Sequence, residues 1–110
     1  MYQIVTHVDQ IDWTPLEIKN VAIKVLHKND LTGAMSIITK IDAGATIPAH
    51  SHTLADETVY VLQGDFIEDG QSYAEGSVFF GKAKAIHGPH STISGCVLLT
   101  NFSAELDFVL

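Results

Sequence analysis

Turn residues punctuate this chain at short intervals, and that punctuation limits the fold more than any other feature. Asn29-Asp30, Ala43-Gly44, Gln63-Gly64, Asp69-Gly70 and Glu75-Gly76 separate runs rich in β-branched, aromatic and other apolar residues: Val21 to Leu26, Met35 to Ile41, Thr58 to Leu62, Phe66 to Glu68, Val78 to Phe80, and Val97 to Phe102. Turn signals roughly 8–12 residues apart are the spacing of sandwiches and barrels. No window of about a dozen residues keeps a 3.6-residue apolar period free of Gly or Pro, so long helices have nowhere to form. The expectation is an all-β closed or double-sheet architecture. "EDGQSY" (Glu68 to Tyr73) reads as a hairpin tip, with Asp69-Gly70 supplying the positive φ of a tight turn. Residues 1–20, with Trp13 and Pro15, read as an N-terminal arm along a sheet edge.

With 110 residues the chain has room for one core, and residues 1–110 are expected to form a single domain. The first residues, Met1-Tyr2-Gln3-Ile4, lack the basic-then-apolar pattern of a secretory signal, and no apolar run reaches the roughly 18 residues that span a bilayer. A cytoplasmic location without a membrane partner is the expectation. Cys96 is the only cysteine, which excludes an intramolecular disulfide and suits a small buried apolar residue. Six basic against 13 acidic side chains give a formal charge of −7, the wrong sign for a nucleic-acid partner.

The chemistry-bearing residues gather in "PAHSHTLADET", Pro48 to Thr58. Residues two apart on a strand face the same way, so His50 and His52 present both imidazoles to one side. Glu57 opens the next apolar run with Val59 and Val61 on its side and Thr58, Tyr60 and Leu62 on the other. If Thr53 to Asp56 fold that run back, the carboxylate returns to the histidine pair. Neutral imidazoles with a carboxylate suit a divalent first-row ion. A fourth donor would come from His87 or His90 in "AIHGPH". His7 and His27 have no partner in sequence and read as surface groups. Tyr60, Phe79, Phe80 and Phe102 read as core, and Lys82 and Lys84 as a solvated loop.

Gly44, His50, His52, Glu57 and Gly64 form G-x5-H-x-H-x4-E-x6-G, which resembles the first motif of the cupin superfamily at all five marked positions. In the second cupin motif, G-x5-P-x-G-x2-H-x3-N, Gly76 and His87 fall at the matching separation. Lys82, Lys84 and Ser91 stand where Pro, Gly and Asn are usual. The resemblance spans Gly44 to about Phe102. It implies a cupin-type double-stranded β-helix, that is a jelly-roll barrel, with a metal in its mouth, commonly as a homodimer. It also implies metal-ligand roles for His50, His52, Glu57 and His87. His90, beyond Gly88-Pro89, is expected where the chain has turned away, at most touching the ligands. "WTPLEIKNVAIKVLHKND" and "GCVLLTNF" are similar to small cupins related to the sensory domain of certain anti-sigma factors and to acetylacetone- and dihydroxyacetophenone-cleaving dioxygenases.

Four protein ligands on a six-coordinate ion leave two positions for a chelating substrate, or for substrate and dioxygen. The function expected is therefore a metal-dependent dioxygenase acting on a small oxygenated organic substrate, with iron the first choice of metal and zinc, manganese or nickel the alternatives. The competing expectation is a non-catalytic, metal-dependent small-ligand sensor. A metal-independent sugar-nucleotide isomerase or epimerase is disfavoured, because such cupins need an acid/base pair rather than a full ligand set.

Overall fold

The computed structural model describes residues Met1–Leu110, and its strands alternate between two antiparallel sheets. In chain order they are β1 (Thr14–Pro15), β2 (Val21–Lys28), β3 (Met35–Ile41), β4 (Thr46–Ile47), β5 (Glu57–Gly64), β6 (Phe66–Glu68), β7 (Gln71–Tyr73), β8 (Val78–Gly81), β9 (His90–Ser91) and β10 (Cys96–Phe102). One sheet runs β1-β2-β3-β10-β5-β8 and the other β4-β9-β6-β7. From β3 onward the chain passes back and forth between the sheets, which is the winding of a double-stranded β-helix. The jelly-roll expectation is met. The only helical element is a 3-10 turn at Val8–Gln10, and β1 of the N-terminal arm pairs with β2 at the outer edge of the larger sheet.

Alternation along β5 shows how the sequence chooses its inside. Glu57, Val59 and Val61 are buried while Thr58, Tyr60 and Leu62 are exposed, as the period-two pattern requires. β10 lies between β3 and β5, so its buried Cys96, Leu98, Thr100 and Phe102 face the same interior. Ile41 and Val61 are wholly buried at the centre of a nine-residue cluster, and burying an aliphatic side chain of this size contributes roughly 1.5–3 kcal/mol. A smaller cluster of Ile37, Ala55 and Phe102 sits toward the other end. Phe79 and Phe102 pack inward as expected, whereas Tyr60 and Phe80 lie on the outer face beside Val78. Strand alternation sorts residues into two faces. It does not require that both be covered.

Two predicted turns hold in detail. Asp69 and Gly70 both take positive φ, 47° and 83°, between the short strands β6 and β7. Gly64 has φ 83°, and a Cβ built there would lie 2.0 Å from the Gly95 carbonyl oxygen, so the crossing from β5 to β6 admits no side chain. Beyond that crossing the half-buried Asp65 gathers on its carboxylate the backbone N–H groups of Ile93 and Ser94 and the hydroxyls of Thr92 and Ser94. No helix is long and apolar enough to cross a membrane.

Candidate metal centre

His50 and His52 follow β4, and a local backbone pairing brings the downstream histidine to them. The His50 N–H donates to the His87 carbonyl and the His87 N–H to the His50 carbonyl, both at 2.9 Å, which sets the two residues directly opposite each other. His87 therefore reaches the site through a single bridge that lies outside the ten strands. Glu57, first residue of β5, returns beside them. Its Oε1 lies 3.0 Å from His87 Nε2 and its Oε2 3.6 Å from His52 Nε2, the latter too long for a hydrogen bond. The structure sets donor atoms of His52, Glu57 and His87 within 4.8 Å of one another, does the same for His50, His87 and His90 with His87 common to both groups, and leaves His7 and His27 exposed at the surface.

Backbone carbonyls set how the first two imidazoles are used. His50 Nδ1 lies 2.7 Å from the Pro48 carbonyl, and His52 Nδ1 lies 2.7 Å from the Asp107 carbonyl. A carbonyl only accepts, so each Nδ1 carries the proton and each Nε2 keeps its lone pair. Those lone pairs point inward. His50 Nε2 sits 3.0 Å from His87 Nε2, and the buried Nε2 of His52 has no hydrogen-bond partner. The buried Nδ1 atoms of His87 and His90 are likewise without an aligned partner. Buried polar atoms are normally satisfied, so a cluster of orphaned ring nitrogens beside a carboxylate fits a site built for a cation.

Charge states point the same way. Burial, reinforced by the neighbouring His87, His90 and His52, drives the His50 pKa down to about 4 although the Pro48 carbonyl favours its protonated form. Burial alone would raise the Glu57 pKa, but the adjoining imidazoles of His52 and His87 favour the ionised carboxylate and hold it at about 2. For His52 burial is again the largest single influence and lowers the pKa, yet Glu57 and the Asp107 carbonyl together outweigh it, and the net shift is upward. Near neutral pH the site therefore offers an ionised carboxylate and a neutral His50, and protons compete with a cation for His52 more strongly than for a free imidazole.

Five residues that sequence reading missed or misplaced, His90, Glu68, Leu106, Asp107 and Phe108, complete the surroundings. His90 does not turn away: it lies in β9, paired with both β4 and β6, and its ring is 5.2 Å from that of His50 and 5.5 Å from that of His87. Gly88, with φ 88°, makes this possible, since its bare Cα lets the chain pass close to Ala49. The Glu68 carboxylate holds the far side of His90, with Oε2 against Nδ1 while Oε1 accepts the Gly88 N–H at 2.6 Å. Burial lowers the His90 pKa against the pull of Glu68. Leu106 and Phe108 were also unforeseen. The segment that carries them straps across the histidines: Phe108 stacks on His50 with ring centres 4.0 Å apart, and Val109 exchanges two backbone hydrogen bonds with Ser51. Asp107 lies between them, its carboxylate taking the Thr53 N–H at 2.7 Å.

Lys84 explains one departure from the cupin spacing. It has φ 72°, the left-handed conformation that glycine adopts freely, and its N–H donates to the His52 carbonyl at 2.7 Å. The turn keeps the shape that Gly would give it, with a lysine under strain instead. Lys82 and Lys84 are exposed and neither lines the cavity.

That cavity has a volume of about 290 Å³ and runs from the histidine cluster into the barrel, between the side chains of Ile37, Phe66, Phe79 and Leu98.

A family model described as the ChrR cupin-like domain matches residues 1–105, and the chain belongs to that family. A candidate acetylacetone dioxygenase from Methylibium petroleiphilum is similar over 100% of this chain and 83% of its own length, with a TM-score of 0.84 and 19% identity. An acetylacetone dioxygenase from Acinetobacter johnsonii matches 93% of this chain and 74% of its own, with a TM-score of 0.75 and 16% identity. The structure of Rhodobacter sphaeroides SigE in complex with the anti-sigma ChrR matches 86% of this chain and 51% of that one, with a TM-score of 0.69 and 20% identity. At these identities the likeness concerns the fold. No curated protein matches the sequence.

Proposed function

We propose that this ChrR-type cupin binds a divalent transition metal through His50, His52, Glu57 and His87 and presents it to a small oxygenated organic molecule in the adjoining cavity, as a metal-dependent dioxygenase. The observation that carries the reading is the pair of Nδ1 contacts to the Pro48 and Asp107 carbonyls, which leave the Nε2 lone pair of His50 facing His87 and that of His52 facing the Glu57 carboxylate. Iron is the first choice among the ions such a donor set suits, ahead of zinc, manganese or nickel. When bound, the ion would supply Lewis acidity and a route to dioxygen. The protein's share is different. His50 and His52 are held in one tautomer, Glu57 is kept ionised without added protons, and the apolar walls keep bulk water from the ligand. The likeness to acetylacetone dioxygenases supports an oxygenase. The ChrR family match supports a second reading, a sensor that uses the same metal and cavity without turnover.

Elemental analysis of protein purified without an affinity tag, followed by oxygen uptake with small diketones and hydroxyketones, tests the proposal. One equivalent of iron with substrate-dependent uptake is the expected result. Stoichiometric metal with no uptake favours the sensor, and metal below a tenth of an equivalent after supply of all four ions overturns both. The exposed Tyr60, Leu62, Val78 and Phe80 on the outer face of β5 and β8 support a homodimer covering this surface.

A further inference from the structure

We infer that the cavity takes an uncharged, largely hydrocarbon molecule bearing one hydroxyl, whether alcohol, phenol or enol, and that His90 accepts the hydrogen bond from that hydroxyl. The inference deepens the proposed function and rests on it only for the charge balance of the loaded site.

The lining decides the charge of the ligand. Thirteen of the 22 residues that surround the cavity are hydrophobic, and the polar remainder consists of four imidazoles, the Glu57 and Glu68 carboxylates, two threonine hydroxyls and one glycine. No Lys, Arg, Asn or Gln reaches it. Phosphates, dicarboxylates and sugar acids need cationic or amide partners when taken out of water, and here they would meet two carboxylates instead. A divalent ion would cancel those two charges and leave the loaded cavity neutral. A neutral guest follows. Its size is modest, because about 290 Å³ holds roughly ten water-sized groups.

The placement of His90 decides the polar end. The metal proposal does not use this residue, yet it is anchored on two sides, with Glu68 against Nδ1 and the Phe66 ring centre 5.2 Å away. Glu68 is itself fixed by the Gly88 N–H. A carboxylate beside Nδ1 draws the imidazole proton there, so we assign the acceptor lone pair to Nε2, the nitrogen left for a guest. Because the His90 ring adjoins those of His50 and His87, a hydroxyl bonded to it would lie next to the metal ligands, with the hydrocarbon extending toward Phe79 and Leu98.

The probes are three molecules with one frame: para-ethylphenol, ethylbenzene and para-ethylbenzoate. Their affinities are measured by competition calorimetry on the protein as purified and again after chelator treatment, so that failure of the metal reading, which elemental analysis reports separately, leaves this test intact. In chelator-treated protein the phenol should bind about fivefold or more tightly than ethylbenzene, the worth of one hydrogen bond, and at least about tenfold more tightly than the benzoate. His90→Phe should bring the phenol and ethylbenzene within about twofold of each other, and His90→Leu provides the same comparison if the larger ring does not fold. A benzoate that equals the phenol in both preparations overturns the neutral-ligand inference. A phenol preference unchanged in both variants removes His90 from it.

Discussion

The two ends of the barrel are built from the same strands and filled with opposite chemistry. At one end Val21, Ile41, Val61 and Cys96 close into hydrocarbon, where burial pushes the Cys96 thiol up to about 11 and keeps it inert. At the other, Glu57 and four histidines leave buried ring nitrogens of His52 and His87 unsatisfied. β5 runs through both, with Val61 only four residues, or about 13 Å, beyond Glu57. Stability and function are therefore separable along a single strand: the packed end can hold the fold while the histidine end keeps donors that a folding optimum would not keep.

The sharpest way to break this contrast is at the histidine end. His52→Ala and His50→Ala should each abolish stoichiometric metal while the fold, followed by circular dichroism, survives; His7→Ala and His27→Ala should retain full occupancy. His87→Ala should reduce metal affinity far more than His90→Ala, whose loss should cost at most about 10–100-fold. At the packed end the order reverses. Ile41→Ala should cost about 2–5 kcal/mol in denaturant unfolding and leave metal stoichiometry in the folded fraction unchanged. If Ile41→Ala lost metal as completely as His52→Ala, the two ends would not be separable.

Acid should weaken the histidine end first. Between pH 6.5 and about 4 the unfolded chain protonates His50 and the folded chain does not, so stability of the metal-free protein should fall as pH drops through that window, by on the order of 3 kcal/mol at its foot. Glu57 adds a further loss between pH 4.5 and about 2. Metal affinity should begin to decline at higher pH than either, because the raised pKa of His52 puts protons in competition with the ion already above pH 6.5. Urea titrations across this range, with chelator competition alongside, would separate the three. The smallest effect expected is Lys84→Gly, which relieves the left-handed lysine and should stabilise by up to about 1 kcal/mol without changing metal content.

What the sequence made legible was what it encodes locally. Alternation in Glu57 to Leu62, the Asp69-Gly70 turn and the spacing of His50, His52 and Glu57 are short-range patterns, and each found its place in the structure. His90 was misplaced because Gly88-Pro89 reads as an exit from the site, whereas Gly88 bends the chain back into pairing with β4 and β6. The strap was illegible for a different reason. Asp107 orients His52 through its backbone carbonyl, which every residue type possesses, so no side chain announces the contact. Tyr60 and Phe80 show the remaining ambiguity, since apolar residues on an outer face look like core until the sheet is seen to be uncovered.

The strap also gives the site a place in time. His52 takes its tautomer from a carbonyl 55 residues further along the chain, and synthesis at 5–20 residues per second puts roughly 3–11 s between the two. During that interval His50 can already meet the Pro48 carbonyl beside it, while His52 is free to rotate and to expose either nitrogen. A nascent chain thus carries half an oriented pair.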